Sequence, residues 1–141
     1  MLGTDGVAYI THDFSGKYPP ERWARRADDC AVATNSREIT PESNGGGEMI
    51  RATFRAAGVE RPVNLVAASQ SKLIRAEPIA ALCAEGKVKL LGSFPQLEQE
   101  MCGFTGVGKS PNRLDAMVHC LTRLCESMLA EKKPARRAVW G

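Results

Sequence analysis

Residues 39–50 read ITPESNGGGEMI, a stretch that joins a strand, a sharp break and the start of a helix. Residues 37–43 predict the strand, although Pro41 removes a ladder donor and favours an edge or a bulge. Three glycines interrupt the chain after it. Residues 48–57 then predict a helix, because their apolar side chains recur at helical spacing and Gly58 follows as a stop.

The same alternation of strand and helix extends through the rest of the chain. Further strands are predicted at residues 7–12, 62–68 and 88–91, and further helices from Pro19-Pro20 onward and at residues 72–85, 95–104 and 111–131. Ser110 and Pro111 suit the N-cap and first position of the last helix. The alternation predicts a layered α/β domain with a largely parallel sheet.

Length and composition indicate one globular domain. The chain has 141 residues, of which 43% are hydrophobic and 25% charged, as is usual for such domains. A run of about 18 apolar residues is lacking, which excludes a transmembrane helix. The N-terminus also lacks the features of a signal peptide. Together these features predict a cytoplasmic protein without a membrane partner.

Cysteine usage and net charge narrow the chemistry further. The five cysteines are odd in number and form no CxxC pair, and His12 and His119 are poorly spaced for zinc. The cysteines are therefore predicted to be small buried apolar groups. The net charge of +3 permits contact with nucleic acid without demonstrating it.

Two carboxylates lie at positions where active-site and ligand-binding residues are common. Glu42 lies near the carboxyl end of a predicted strand, just before the glycine break, and ligands of open α/β sheets gather at such ends. Asp115 lies in the first turns of the last helix, three residues after Asn112 on the same face. Spacing alone leaves two interpretations open for each. Glu42 is either placed for a metal or phosphate partner or is an exposed glutamate at a strand end. Asp115 is either a functional carboxylate or an aspartate that favours the positive helix end.

Four sequence segments in order resemble the nuclease domain of phage terminase large subunits. They are ITPESNGGGEMI at residues 39–50, SKLIRAEPIAAL at 71–82, FPQLEQEMC at 94–102 and SPNRLDA at 110–116. The last is similar to a family segment that reads Ser-Pro-Asp-Arg-x-Asp-Ala. The resemblance runs from near Asp5 to about Leu124, and so covers most of the chain.

The resemblance implies a ribonuclease-H-like three-layer α/β fold with a mixed sheet, and cleavage of concatemeric DNA during genome packaging. Family members hold two Mg²⁺ or Mn²⁺ ions with three carboxylates, and hard cations of this kind prefer oxygen ligands. Glu42 then corresponds to the second carboxylate, Asp115 to the third, and Asn112 to a weaker metal ligand. For Lys72 and Arg75 the resemblance leaves two interpretations open, contact with DNA phosphates or a purely solubilising surface role.

The resemblance also implies partners: double-stranded DNA, the terminase ATPase domain, the small terminase subunit and the portal, in the cytoplasm of a bacterial host. No complete P-loop motif for that ATPase occurs, since GVGKS at residues 106–110 lacks the full spacing.

The family's first carboxylate is an aspartate on an opening strand, upstream of the hairpin that begins here near Asp5. Asp5 matches a turn and Asp13 a strand end, so neither fits that position. We therefore expect an N-terminally truncated nuclease domain at residues 1–131, followed by a basic, disordered tail at residues 132–141. With its first strand missing, such a fragment would have little or no nuclease activity alone.

Two alternatives remain open. One is a non-catalytic module that binds DNA or packaging proteins with a remnant of a ribonuclease-H-like fold. The other is a fragment of a different ribonuclease-H-like enzyme, such as a resolvase or transposase. The glycine-rich segment after Glu42 and the segment around Asp115 make the second alternative less attractive.

Overall fold

The computed structural model describes residues 1–44, 46–67, 70–106 and 111–131, and this part contains two strands and six helices. The strands are β1 (Ala8–Ile10) and β2 (Val88–Leu90), and the helices are α1 (Pro20–Ala33), α2 (Gly47–Ala56), α3 (Lys72–Ala84), α4 (Pro95–Gly103), α5 (Asn112–Leu124) and α6 (Glu126–Glu131). The predicted tail at residues 132–141 and the predicted helix cap Ser110 lie outside the described residues.

The sheet built on β1 and β2 combines parallel and antiparallel pairing. β1 and β2 are parallel, with Ala8 opposite Val88. On the opposite edge of β1, Leu2 forms an antiparallel bridge with Ala8. The parallel pair joins segments far apart in the chain, and helices fill the interval between them. The sheet is therefore mixed.

A further parallel pairing, formed by isolated bridges, joins residues 39–42 to residues 63–66. Bridges form at Ile39–Val63 and Glu42–Val66, in one continuous register. Between them, the amide of residue 41 would donate to the carbonyl of Asn64, but Pro41 has no N–H. The pairing lies inside the strands predicted at 37–43 and 62–68, of which residue 68 is outside the described residues, and Pro41 reduces the ladder to two separate bridges.

Two groups of buried side chains form the core. The larger group lies between the β1–β2 pair and helices α3, α4 and α5, and includes the fully buried Leu82 and Leu121. The smaller group joins α1 to α2 around Phe54, on which Trp23 packs edge-on at 5.1 Å. Trp23 is therefore a packing residue of the smaller group. A cleft of about 940 Å³ lies between α1, β1 and α5.

Two details differ from the sequence-based expectation. The last helix, predicted to be continuous, is divided at Cys125, whose backbone leaves the helical region (φ −101°, ψ 19°). This bend keeps Cys125 in the larger core. The cysteines were expected to be buried, but Cys102 and Cys120 are exposed. Cys120 lines the cleft between α1 and α5. In the described part, no helix has the length and apolarity needed to cross a membrane.

Candidate functional site

Glu42 and Asp115 belong to different elements, yet both face the same guanidinium group. Glu42 forms the bridge to Val66, and Asp115 lies in the first turn of α5. Arg75 Nη2 is 3.5 Å from Oε1 of Glu42 and 3.4 Å from Oδ1 of Asp115. The fold thus brings together the two carboxylates that the sequence analysis paired.

Lys72 forms an ion pair with the second carboxylate oxygen of Asp115. Its Nζ lies 2.7 Å from Oδ2, while Oδ1 faces Arg75. Each Asp115 oxygen therefore has its own cation. Two negative and two positive groups meet here, and their formal charges cancel. Lys72 and Arg75, for which contact with DNA phosphates was considered, form ion pairs with the predicted metal ligands.

The two cations differ in their exposure. The Arg75 side chain is only 10% exposed, whereas that of Lys72 is 46% exposed. Arg75 Nε and Nη1 are buried and have no hydrogen-bond partner within the described residues. Arg75 is therefore held among protein groups, and Lys72 lies at the rim where solvent and ligands have access.

Local sequence explains why both cations point to one place. Ser71 is the N-cap of α3, and its hydroxyl accepts a hydrogen bond from the Ile74 amide at 3.4 Å. The cap fixes the first turn of the helix. Lys72 and Arg75 are three residues apart in that turn, so they share a face, and this face packs towards α5.

The start of α5 is fixed by a carboxylate from another helix. Glu100 of α4 accepts hydrogen bonds through Oε2 from the Arg113 amide at 2.8 Å and the Leu114 amide at 2.9 Å. These amides have no partner inside the helix, and a negative charge is favourable at this end. Glu100 was not among the predicted site residues, although it lies in the segment at residues 94–102. Its position fixes the turn that carries Asp115.

Arg113 extends this contact to the beginning of the chain. Its Nε donates to Oδ2 of Asp13 at 3.0 Å, and its Nη1 lies 3.5 Å from Oε1 of Glu100. Burial raises the pKa of Asp13, but hydrogen bonds from Ser15 and the Arg113 charge outweigh it, so this pKa lies below its ordinary value. Asp13 is therefore paired with Arg113, and it lies three residues beyond the end of β1.

Two further side chains position Glu42, and the sequence analysis did not identify either. Asn44 Nδ2 donates to Oε1 of Glu42 at 2.6 Å. His119 Nε2 lies 2.9 Å from the carbonyl oxygen of Thr40; since a carbonyl only accepts, this nitrogen carries the hydrogen. His119 follows Asp115 by one helical turn, a spacing that would have identified it. It joins α5 to the segment that ends in Glu42.

The donor chemistry of this group fits a hard divalent cation. Glu42 and Asp115 offer carboxylate oxygens, which Mg²⁺ and Mn²⁺ prefer. Both carboxylates already face the guanidinium group of Arg75. Asn112 is exposed at the first position of α5. Among the residues that the structure describes, no three His, Cys, Asp or Glu side chains are grouped to hold a metal. The site therefore offers two carboxylate ligands.

Comparison with known proteins agrees with this architecture. The family model for the terminase RNaseH-like domain matches residues 4–124. This range includes β1, α3, α5 and both candidate carboxylates. Neither the curated proteins nor the solved structures contain a match. The mixed α/β architecture is that expected of an RNaseH-like fold, and the sequence-based resemblance is confirmed: the chain belongs to the terminase RNaseH-like domain family.

Proposed function

We propose that this domain contributes to metal-dependent cleavage of double-stranded DNA, the step that cuts concatemeric genomes during packaging. The observation that supports the proposal is the convergence of Glu42 and Asp115 on one cationic point. Carboxylates from distant segments repel each other, so holding them together is costly without a cation between them; Arg75 supplies that cation in the metal-free protein.

In this proposal Glu42 and Asp115 hold Mg²⁺ or Mn²⁺, with Asn112 as a weaker oxygen donor at the rim. When bound, the metal would stabilise charge on the phosphate and lower the pKa of a bound water. Asn44 orients the Glu42 carboxylate, and Glu100 and His119 hold the two elements that carry the ligands. Ligands fixed in this way lose little freedom when the cation binds.

The proposed substrate contact is through Lys72. Its side chain is the more exposed of the two cations and lies beside the carboxylates, where a scissile phosphate would approach. In the packaging machinery, the partners we propose are the terminase ATPase domain, the small subunit and the portal. The domain would act on DNA that these partners deliver.

A cleavage assay tests the proposal. The 141-residue protein is incubated with supercoiled plasmid and Mn²⁺, beside the variants Glu42→Gln and Asp115→Asn. We expect slow nicking, because two carboxylates already paired with cations bind metal weakly, and we expect each variant to reduce it by about 100-fold or more. The exposed residues Glu60 and Asp29 supply matched controls, Glu60→Gln and Asp29→Asn, which should cut at the wild-type rate.

A second candidate function is a non-catalytic module that binds DNA or packaging proteins. The internal neutralisation of Glu42 and Asp115 by Arg75 and Lys72 favours it, because a site with balanced charges needs no metal. Calorimetric titration with Mn²⁺ separates the two candidates. The nuclease proposal expects binding that Glu42→Gln and Asp115→Asn both abolish, whereas the second candidate expects none.

A further inference from the structure

The four charged groups of the site form a closed arrangement. Asp115 binds Lys72 through Oδ2 and Arg75 through Oδ1, and Arg75 also faces Glu42. The combined formal charge of the two basic groups equals that of one divalent cation. Adding such an ion while both basic groups stay in place would leave two positive charges in excess within a partly buried site, which is unfavourable.

Burial decides which basic group is able to leave. Arg75 is 10% exposed and lies between Glu42 and Asp115, so moving it would separate the two carboxylates from their shared partner. Lys72 is 46% exposed and contacts only Asp115 of the pair. Its ammonium group ends a flexible four-carbon chain and is readily hydrated once it moves away.

We propose that Lys72 is an exchangeable counter-cation of this site, while Arg75 is a fixed positioning residue. The inference rests on the proposed metal-dependent function. In the metal-free protein Lys72 neutralises Asp115. A divalent cation and Lys72 compete for the Oδ2 atom of Asp115, and Lys72 swings outward when it loses that contact.

The released Lys72 gains a new partner if a DNA phosphate is present. Its charge then pairs with the phosphate at the rim of the site instead of with Asp115. Metal and DNA therefore assist each other. The metal releases Lys72 from Asp115 so that it can pair with a phosphate, and the phosphate holds Lys72 away from the metal's ligand. Because such coupling is reciprocal, the metal also strengthens DNA binding. While no DNA substrate is bound, Lys72 remains paired with Asp115 and neutralises its charge.

Calorimetric titration of the metal-free protein with Mn²⁺ tests the competition directly. Lys72→Met removes the charge and retains most of the side-chain length. We expect it to bind Mn²⁺ about two- to fivefold more tightly than the wild type, the range of a half-exposed ion pair. Lys72→Arg retains the charge and should remain near the wild-type affinity. The matched control is Lys89→Met, an exposed lysine of β2, which should leave the affinity unchanged.

Thermal unfolding supplies a second measurement that does not depend on catalysis. Without metal, Lys72→Met should unfold at a lower temperature than the wild type, because Asp115 loses a partner. Mn²⁺ should raise its midpoint by more than it raises that of the wild type. Equal or weaker Mn²⁺ affinity in Lys72→Met than in Lys89→Met would overturn the exchange while leaving the metal site intact. Absence of Mn²⁺ binding in every variant would overturn both the exchange and the proposed function.

Discussion

At the scale of single residues, burial separates side chains that look equivalent in the sequence. Lys72 and Arg75 share one helical face, and contact with DNA phosphates was considered for both. In the fold, Arg75 lies inside the site and faces both carboxylates, whereas only Lys72 extends towards solvent. The phosphate contact therefore remains a proposal for Lys72, and Arg75 is better placed to hold the carboxylates in position.

Asp13 supports a prediction about pH at this scale. Its pKa is depressed below the ordinary value of 3.8, because the hydrogen bonds from Ser15 and the charge of Arg113 outweigh the effect of burial. A depressed pKa means that the ionised form stabilises the fold above pH 3.8 and that this contribution disappears as the pH falls through the lower folded value. Asp13→Asn should therefore reduce the free energy of unfolding by about 1 kcal/mol at about pH 7.

Urea unfolding at several pH values measures this effect. The difference between wild type and Asp13→Asn should narrow steadily below about pH 4, because Asp13 becomes protonated there. Asp29→Asn, which changes an exposed aspartate of α1, serves as the control for simple loss of charge. A difference that stays constant from about pH 7 to about pH 2 would show that the Asp13 charge does not contribute.

At the scale of elements, the ends of strands and helices determine where the site residues lie. Glu100 of α4 caps α5 and so fixes the turn that carries Asp115. The strand that carries Glu42 is held by bridges on either side of Pro41. The Glu100 cap joins α4 to α5, and the bridges join residues 39–42 to residues 63–66. Neither Asp115 nor Glu42 is therefore positioned by its own element alone.

Pro41→Ala tests the explanation for the interrupted ladder. Register places the amide of residue 41 opposite the Asn64 carbonyl, so the new N–H should form the missing hydrogen bond. We expect this new amide to exchange with deuterium at least about tenfold more slowly than an unpaired amide. The stability should change by less than about 1 kcal/mol, because the loss of proline's restriction of the unfolded chain offsets the added bond.

Pro20→Ala provides the matched control. Residue 20 begins α1, where a first-turn amide has no partner within the helix. The amide that this replacement introduces should exchange rapidly under the same conditions, as followed by two-dimensional NMR. If the new amide at position 41 exchanged as fast as the new amide at position 20, the pairing described for residues 39–42 and 63–66 would be contradicted.

At the scale of the whole molecule, the site lies where two core groups meet. Helices α3 and α5 belong to the larger group, while Ile39 and Val63 pack on the smaller one around Phe54. Contacts that join these groups near the site include Arg75 with Glu42, His119 with Thr40 and Arg123 with Glu38. The geometry of the carboxylate pair thus depends on how the two groups are held together.

Replacement of His119 tests this dependence. His119→Leu removes the donor to the Thr40 carbonyl, and should lower the free energy of unfolding by about 1 kcal/mol in urea titrations. It should also weaken Mn²⁺ binding, because Glu42 is less well held relative to Asp115. The other histidine, His12, is exposed and bonds only to its neighbour Thr11 within the described residues. His12→Leu should change neither quantity, and equal effects of both replacements would argue against the connection.

The family, the α/β alternation, the positions of most helices and the two candidate carboxylates could all be predicted from the amino-acid sequence. These features depend on local signals: apolar spacing, the Pro19-Pro20 start, the Ser71 cap and the segments around Glu42 and Asp115. Three contacts became visible only in the folded chain: Arg75 lies between those carboxylates, Glu100 caps α5 and His119 reaches Thr40. Such contacts join residues far apart in the chain, and the position of one relative to another depends on how whole elements pack. Local spacing carries no information about that packing, because one helical face can meet solvent, DNA or a buried acid with the same sequence.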